Sequence, residues 1–133
     1  MPLIVRQAED SDLPGVGEVD AASRLHAYTG LLEAAELAGV TPQAQVQVWR
    51  ERATRERDTH VMLVADQGGR VVGYSYVGPD DDPRVSGLYA LFVHPDAFGT
   101  GAAQRLLDES CSVAPRRHTP GDQSRRRCPA LPL

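Results

Sequence analysis

Lysine is absent from this chain: all fourteen basic side chains are arginine. With plentiful Ala, Gly, Pro and Val, that bias points to a GC-rich coding sequence and hence a bacterial source, and it carries no chemistry of its own. Aromatic residues are scarce, at 5% of 133 residues, while a hydrophobic content of 41% is ordinary for a soluble globular protein. Long apolar runs are missing as well. Stretches such as Val61–Ala65 fall far short of the roughly 18–20 residues that a membrane helix needs, so no membrane span is expected. Met1–Arg6 runs directly into the acidic stretch Glu9–Asp12, which is not a signal-peptide pattern, and a cytoplasmic protein is expected.

Clustered metal ligands are lacking too. Cys111 and Cys128 stand far apart with no CxxC, and the four histidines (26, 60, 94 and 118) are scattered. Zinc ligands recur at short spacings, so no metal site is expected and the cysteines read as reduced thiols. The net charge of −4 is shared unevenly. Residues 114–133 hold five Arg and one acid, Asp122, leaving residues 1–113 with nine Arg against seventeen acids, or −8. An acidic body, and a tail whose arginines have no aromatic residues between them, argue against nucleic-acid binding.

The length fits one domain. Leu3–Gln7 alternates like an opening strand. Asp10 or Ser11 can cap a helix with Pro14 in its first turn, whose apolar positions Leu13, Val16, Val19 and Ala22 recur three apart. Gly15 and Gly17 weaken that start, and residues 25–30 are ambiguous. Leu31–Leu37 reads as a second short helix, ended by Gly39. Thr41 caps a further helix with Pro42 at its first position and Val46, Trp49 and Ala53 facing inward, and the charged face Arg50–Asp58 reads as solvated. Thr59–Asp66, the turn Gln67-Gly68-Gly69-Arg70 and Val71–Val77 make a β-hairpin. The turn Asp80–Pro83 leads to the strand Val85–Val93, completing a meander. A last helix runs from Gly101 to about Cys111, with Leu106, Leu107 and Cys111 as inward positions.

Leu88–Asp108 carries the chemistry. Phe98-Gly99-Thr100-Gly101-Ala102-Ala103 opens the last helix with small side chains. These let an anion approach backbone N–H groups that have no intrahelical acceptor. Oriented amides and the helix dipole favour a bound phosphate by about 0.3–1 kcal/mol, up to about 2 when partly buried. The loop lacks the Gly-Lys-Ser/Thr of a Walker motif. A dinucleotide fingerprint fits poorly after an antiparallel meander.

Val93-His94-Pro95-Asp96 followed by Gly99, Gly101 and Ala103, placed after the hairpin Asp66–Tyr74, resembles the acetyl-CoA motif of the GCN5-related N-acetyltransferases. The resemblance covers about residues 1–113. It implies an acyl-CoA N-acyltransferase fold of the α/β class (an α+β mixed sheet) in the order β-α-α-β-β-β-α. It also implies that Leu91, Phe92 and Val93 offer backbone groups to the pantetheine arm. Phe98, Gly99, Thr100, Gly101, Ala102 and Ala103 would hold the pyrophosphate of acetyl-CoA. Phe98 departs from the Gln or Arg usual at its position. No metal is implied, and no catalytic base is identified, since Ser86-Gly87 stand where relatives often carry a Glu.

Tyr28, Tyr74, Tyr76 and Tyr89 are candidates for lining the acceptor pocket, Tyr28 and Tyr89 foremost, although a tyrosine packed with its hydroxyl reaching solvent gives the same pattern. Arg24 and His26 fit either an acidic or polar acceptor or an exposed helix face. His94 reads as a turn residue.

The family continues with another strand, a helix bearing a Tyr that serves as general acid, and closing strands. Residues 112–133 show no β-rich run and no tyrosine. The expectation is a chain truncated or frame-shifted after about residue 112, with residues 1–113 a partial domain and 114–133 a Pro/Arg-rich disordered tail. An uncovered edge on the strand Val85–Val93 would invite self-association. The expected function is transfer of an acetyl group to a primary amine of a small molecule or protein, or no activity where the second half of the site is missing. The alternative is a non-catalytic acyl-CoA-binding or interaction module.

Overall fold

The computed structural model describes residues 2–31, 33–82 and 84–113. The tail 114–133, with its expected disorder, and Cys128 lie outside the described residues, and Cys111, expected as a reduced thiol, is disulfide-bonded. In chain order come β1 (Leu3–Gln7), a 3-10 turn (Asp10–Asp12), α1 (Leu13–Tyr28), α2 (Ala34–Leu37), α3 (Pro42–Arg55), β2 (Val61–Gln67), β3 (Arg70–Pro79), β4 (Ser86–Val93), a second 3-10 turn (Pro95–Ala97) and α4 (Ala102–Val113). The strands form one sheet in the order β1-β2-β3-β4, and every pairing among them is antiparallel. Only a single turn, α2, forms in the segment read as a second helix.

Period-2 alternation sorts the sheet into two faces. Met62, Val64, Tyr74, Tyr76 and Ala90 pack beneath α1 and α3 with Leu13, Val16, Val19 and Trp49. Leu63, Ala65, Val72 and Val93 pack beneath α4 with Ala102 and Leu106. Helices therefore cover both faces, and β4 forms one edge of the described sheet.

Local signals explain the helix starts. Thr41 accepts the Ala44 N–H at 3.1 Å and Pro42 opens α3, as expected. Asp10 and Ser11 do not cap α1: they lie in the 3-10 turn before it, which Glu9 and Asp12 cap reciprocally, and Asp12, the residue before α1, makes no side-chain cap bond to that helix. The Asp12 carboxylate accepts the Glu9 N–H at 2.7 Å and is held by both terminal nitrogens of Arg6 at 2.7 and 2.8 Å. Gly17 has a packing role, since a Cβ there would stand 2.4 Å from Val46 Cγ2 and 2.5 Å from the Pro42 carbonyl. It lets α1 and α3 cross in close contact.

The sheet is bound to its helices by two buried polar links. On the α1 face, Asp20 is fully buried and accepts from Arg24 Nε (2.5 Å), Gln45 Nε2 (2.7 Å), Trp49 Nε1 (2.9 Å) and the Tyr74 hydroxyl. Burial pushes this carboxyl up, but the bonds from Arg24, Trp49 and Tyr74 outweigh it and hold Asp20 below the usual carboxylate range. On the α4 face, Ser75 and Ser110 share a hydrogen bond of 2.7 Å, and Ser110 also donates to the Leu106 carbonyl at 2.5 Å. Of the three positions expected inward on α4, Leu106 is fully buried, and Ser110 joins it instead of Leu107 or Cys111.

Candidate functional site

β4 ends at Val93, and His94 turns the chain, accepting the Asp96 N–H on Nδ1 at 3.1 Å. The 3-10 turn Pro95–Ala97 follows, and Thr100 pins the loop by donating its hydroxyl to the Ala97 carbonyl at 2.6 Å. Gly99 and Gly101 have φ of 81° and 86°, a left-handed conformation that costs other residues energy. A Cβ at either would meet nothing within 4 Å, so the loop faces open space. The Gly101 carbonyl takes the first helical bond, from Arg105 N–H at 3.1 Å. Among the described residues, the N–H groups of Gly99, Gly101, Ala103 and Gln104 have no acceptor. Ala102 N–H has only a long contact, 3.4 Å, to the Thr100 hydroxyl. Several donors at the start of a twelve-residue helix are thus left for a ligand.

The strand leading to this loop has a defined phase. His94 N–H donates to the Val72 carbonyl at 2.8 Å, so alternate residues Ala90 and Phe92 turn their backbone groups toward β3. Leu91 and Val93 turn theirs to the outer edge. The Val93 carbonyl there already accepts the buried Ser23 hydroxyl of α1 at 3.0 Å. Among the described residues the Val93 N–H and both backbone groups of Leu91 remain, whereas Phe92, expected to offer its backbone as well, has it committed to β3. Farther down, the register shifts so that Tyr76 faces Ala90 and Val77 faces Leu88. Tyr89 is the extra residue of a bulge, which breaks the ladder on β4 and redirects its backbone. The register slip and the ladder phase carry no mark in the residues themselves.

The predicted residues fall into two groups. Phe98 to Ala103 and Leu91 to Val93 are brought together along the upper end of β4. Phe98 is 56% exposed and meets His26 of α1 edge-on, with ring centroids 5.4 Å apart. Tyr28 and Tyr89 stand apart. Tyr28 is 39% exposed at the end of α1, whereas Tyr89 is 40% exposed and donates its hydroxyl to the Pro79 carbonyl near the start of β4. Tyr74 and Tyr76 are core residues, committed to Asp20 and Glu56.

A polar cluster that the sequence reading passed over lies beside the bulge. Arg52 and Glu56, assigned to a solvated helix face, instead pack against aromatic rings. Glu56 accepts from Arg52 Nε at 2.6 Å and the Tyr76 hydroxyl at 3.0 Å, and His60 Nε2 lies 3.3 Å away. The Arg52 guanidinium stands over the rings of Tyr76 (4.9 Å) and Tyr89 (5.5 Å). His60 stacks on Tyr76 at 5.2 Å and tilts toward Tyr89 at 5.3 Å. Burial lowers the His60 pKa and favours its neutral form, despite Glu56. Glu56 is itself lowered, because Arg52 and Tyr76 outweigh the burial that would raise it. The i, i+4 spacing of Arg52, Glu56 and His60 was the available signal. A cavity of about 200 Å³ lies beyond this cluster toward β1, among Gln7, Glu9, Arg50, Arg57, His60 and Tyr76, away from the loop.

Among the described residues no three His, Cys, Asp or Glu side chains could hold a metal ion, and no helix is long and apolar enough to cross a membrane.

The family model described as "Acetyltransferase (GNAT) family" matches residues 27–121. Among solved structures, the PaiA N-acetyltransferase of Thermoplasma acidophilum, in complex with coenzyme A, superposes with a TM-score of 0.66 at 15% identity, over 85% of this chain and 72% of that one. YncA of Salmonella typhimurium, solved with its cofactor acetyl-CoA, gives 0.60 at 21% identity over 84% and 62%. The ribosomal-protein-S18-alanine N-acetyltransferase of Escherichia coli gives 0.56 at 14% identity over 84% and 58%. The chain therefore spans from just under three-fifths to just under three-quarters of the length of these proteins. At such identities the likeness is one of fold. No curated protein sequence matches significantly.

Proposed function

The chain belongs to the GNAT acetyltransferase family, and from that premise we propose that it binds acetyl-CoA along the outer edge of β4 and transfers the acetyl group to a primary amine. The observation that carries the reading is the set of N–H groups at Gly99, Gly101, Ala103 and Gln104 without acceptors among the described residues, which continues the open edge at Leu91 and Val93. The loop donors and the dipole of α4 take the pyrophosphate. Phe98 brings no donor there, contrary to the expectation from sequence: its N–H is taken by the Pro95 carbonyl at 3.2 Å and its apolar ring stands in place of a Gln or Arg side chain. The amide groups of the pantetheine arm pair with Leu91 and the Val93 N–H as an added strand would, while Phe92 supplies its ring to the floor.

In the reaction the neutral amine nitrogen attacks the thioester carbonyl carbon. The C–N bond forms, the C–S bond breaks, and the coenzyme leaves as a thiolate that takes up a proton, while the ammonium formed at nitrogen loses one. The bulge at Tyr89 redirects the β4 backbone below the pantetheine groups and leaves room for the thioester there. Tyr89 and Tyr28 line opposite ends of the acceptor approach.

Calorimetry with acetyl-CoA, paired with thiol release over a panel of amines, tests the reading. Binding with turnover supports it. Binding without turnover favours the acyl-CoA-binding module, and no binding overturns both.

A further inference from the structure

We infer that Arg24 is a specificity-determining residue that recognises a carboxylate on the acceptor, so that the preferred substrate is an amine that also carries a carboxylate. The inference rests on the acetyl-transfer reading and narrows it to one substrate class.

Arg24 belongs to α1, on the face that covers Tyr74 and Phe92. Its Nε–H donates to Asp20 at 2.5 Å, and its guanidinium carbon lies 5.4 Å from the centroid of the Phe92 ring. Asp20 is immobilised in turn by Gln45, Trp49 and Tyr74. The guanidinium is therefore oriented before any ligand arrives, which lowers the ordering cost of binding. Only one of its five N–H groups is used: among the described residues Nη1 and Nη2 have no acceptor, and the side chain is 34% exposed. A planar pair of free donors fits a carboxylate bidentately. Tyr28, one turn farther along the same side of α1, brings a second exposed donor that has no partner among the described residues.

Position decides which anion is meant. The donors at the start of α4 belong to a helix on the opposite face of the sheet. A phosphate group seated there leaves Arg24 for another molecule, approaching β4 from the α1 side. An acceptor amine reaching the edge of β4 from that side passes Phe92, with its carboxylate held at Arg24.

Three measurements on the full chain and on Arg24→Gln test this. In thiol release with acetyl-CoA, Arg24→Gln lowers kcat/KM for L-alanine about tenfold to a hundredfold, the loss of a charge-assisted bidentate bond. Turnover of L-alaninamide, which lacks the carboxylate, stays within about twofold. Equal losses for both substrates, or none, overturn the inference. Calorimetry with N-acetyl-L-alanine and its amide reads the same contact without turnover: wild type prefers the acid, and Arg24→Gln abolishes the preference. No preference in wild type sinks the inference whether or not acetyl-CoA binds. Failure of acetyl-CoA to bind sinks instead the reading beneath it. Competition by inorganic pyrophosphate is unchanged in Arg24→Gln, and a weakened competition assigns Arg24 to the coenzyme and overturns the proposal.

Discussion

Around Asp20, donors from α1, α3 and β3 converge on one fully buried carboxylate. At Gly99, Gly101, Ala103 and Gln104, N–H donors of the loop and helix start have no acceptor among the described residues. The two regions differ in their access to water: polar groups removed from it need partners within the protein, whereas the exposed N–H groups of the loop are left to water or to a ligand. The first closes on itself and fixes how the helices sit on the sheet. The second keeps its donors turned outward, at the cost of two left-handed residues. Satisfied polar groups here mark architecture, and unsatisfied oriented ones mark the place for a ligand.

The sharpest way to break that contrast is to open the closed region. Asp20→Asn leaves Arg24 without its counter-charge and puts donors against donors, so a loss of about 3–5 kcal/mol in urea unfolding is expected. Its pH dependence has a definite sign. The folded-state pKa of Asp20 is lowered, so its stabilisation is complete above the unfolded value near 3.9 and is lost as pH falls below about 4. Acid unfolding of Asp20→Asn is correspondingly less steep.

Next comes the open region. Gly101→Ala costs about 1–2 kcal/mol in thermal or urea unfolding, because alanine at a φ of 86° brings its Cβ against the following carbonyl. The same change weakens acetyl-CoA in calorimetry, whereas a substitution at Asp20 that still folds leaves the loop donors in place. A smaller effect distinguishes the two serines beneath α4. Ser110→Ala strands the buried Ser75 hydroxyl and costs about 1 kcal/mol, while Ser75→Ala costs less because Ser110 keeps the Leu106 carbonyl.

The smallest is a slope. His60 is lowered in the folded chain, so stability falls slightly as pH drops from about 6.5, and His60→Gln removes that slope in denaturant midpoints measured from pH 7.5 to 5.5.

Much of the fold was legible because its signals are local. Thr41-Pro42 opens α3, and Gly68-Gly69, with φ of 65° and 91°, turns the β2–β3 hairpin. The loop Gly99–Ala103 was legible for the same reason, since glycine enters left-handed turns without steric cost and small side chains leave the amides of a helix start uncovered. What escaped depends on distant residues meeting. Asp20 is one acid among many until Trp49, Gln45 and Tyr74 are brought to it by the crossing at Gly17. Arg52 and Glu56 match a solvated face by periodicity, and only the position of Tyr76 and His60 draws them under cover. The bulge at Tyr89 follows from how β4 settles against β3, and no turn residue announces it.

Amide shifts on adding acetyl-CoA to nitrogen-15-labelled protein test the central claim most directly. The account predicts that the largest changes fall on Leu91, Val93, Gly99, Gly101, Ala103 and Gln104, with the Trp49 indole N–H beside Asp20 nearly unmoved. Saturable shifts centred elsewhere, or none at all, would contradict it.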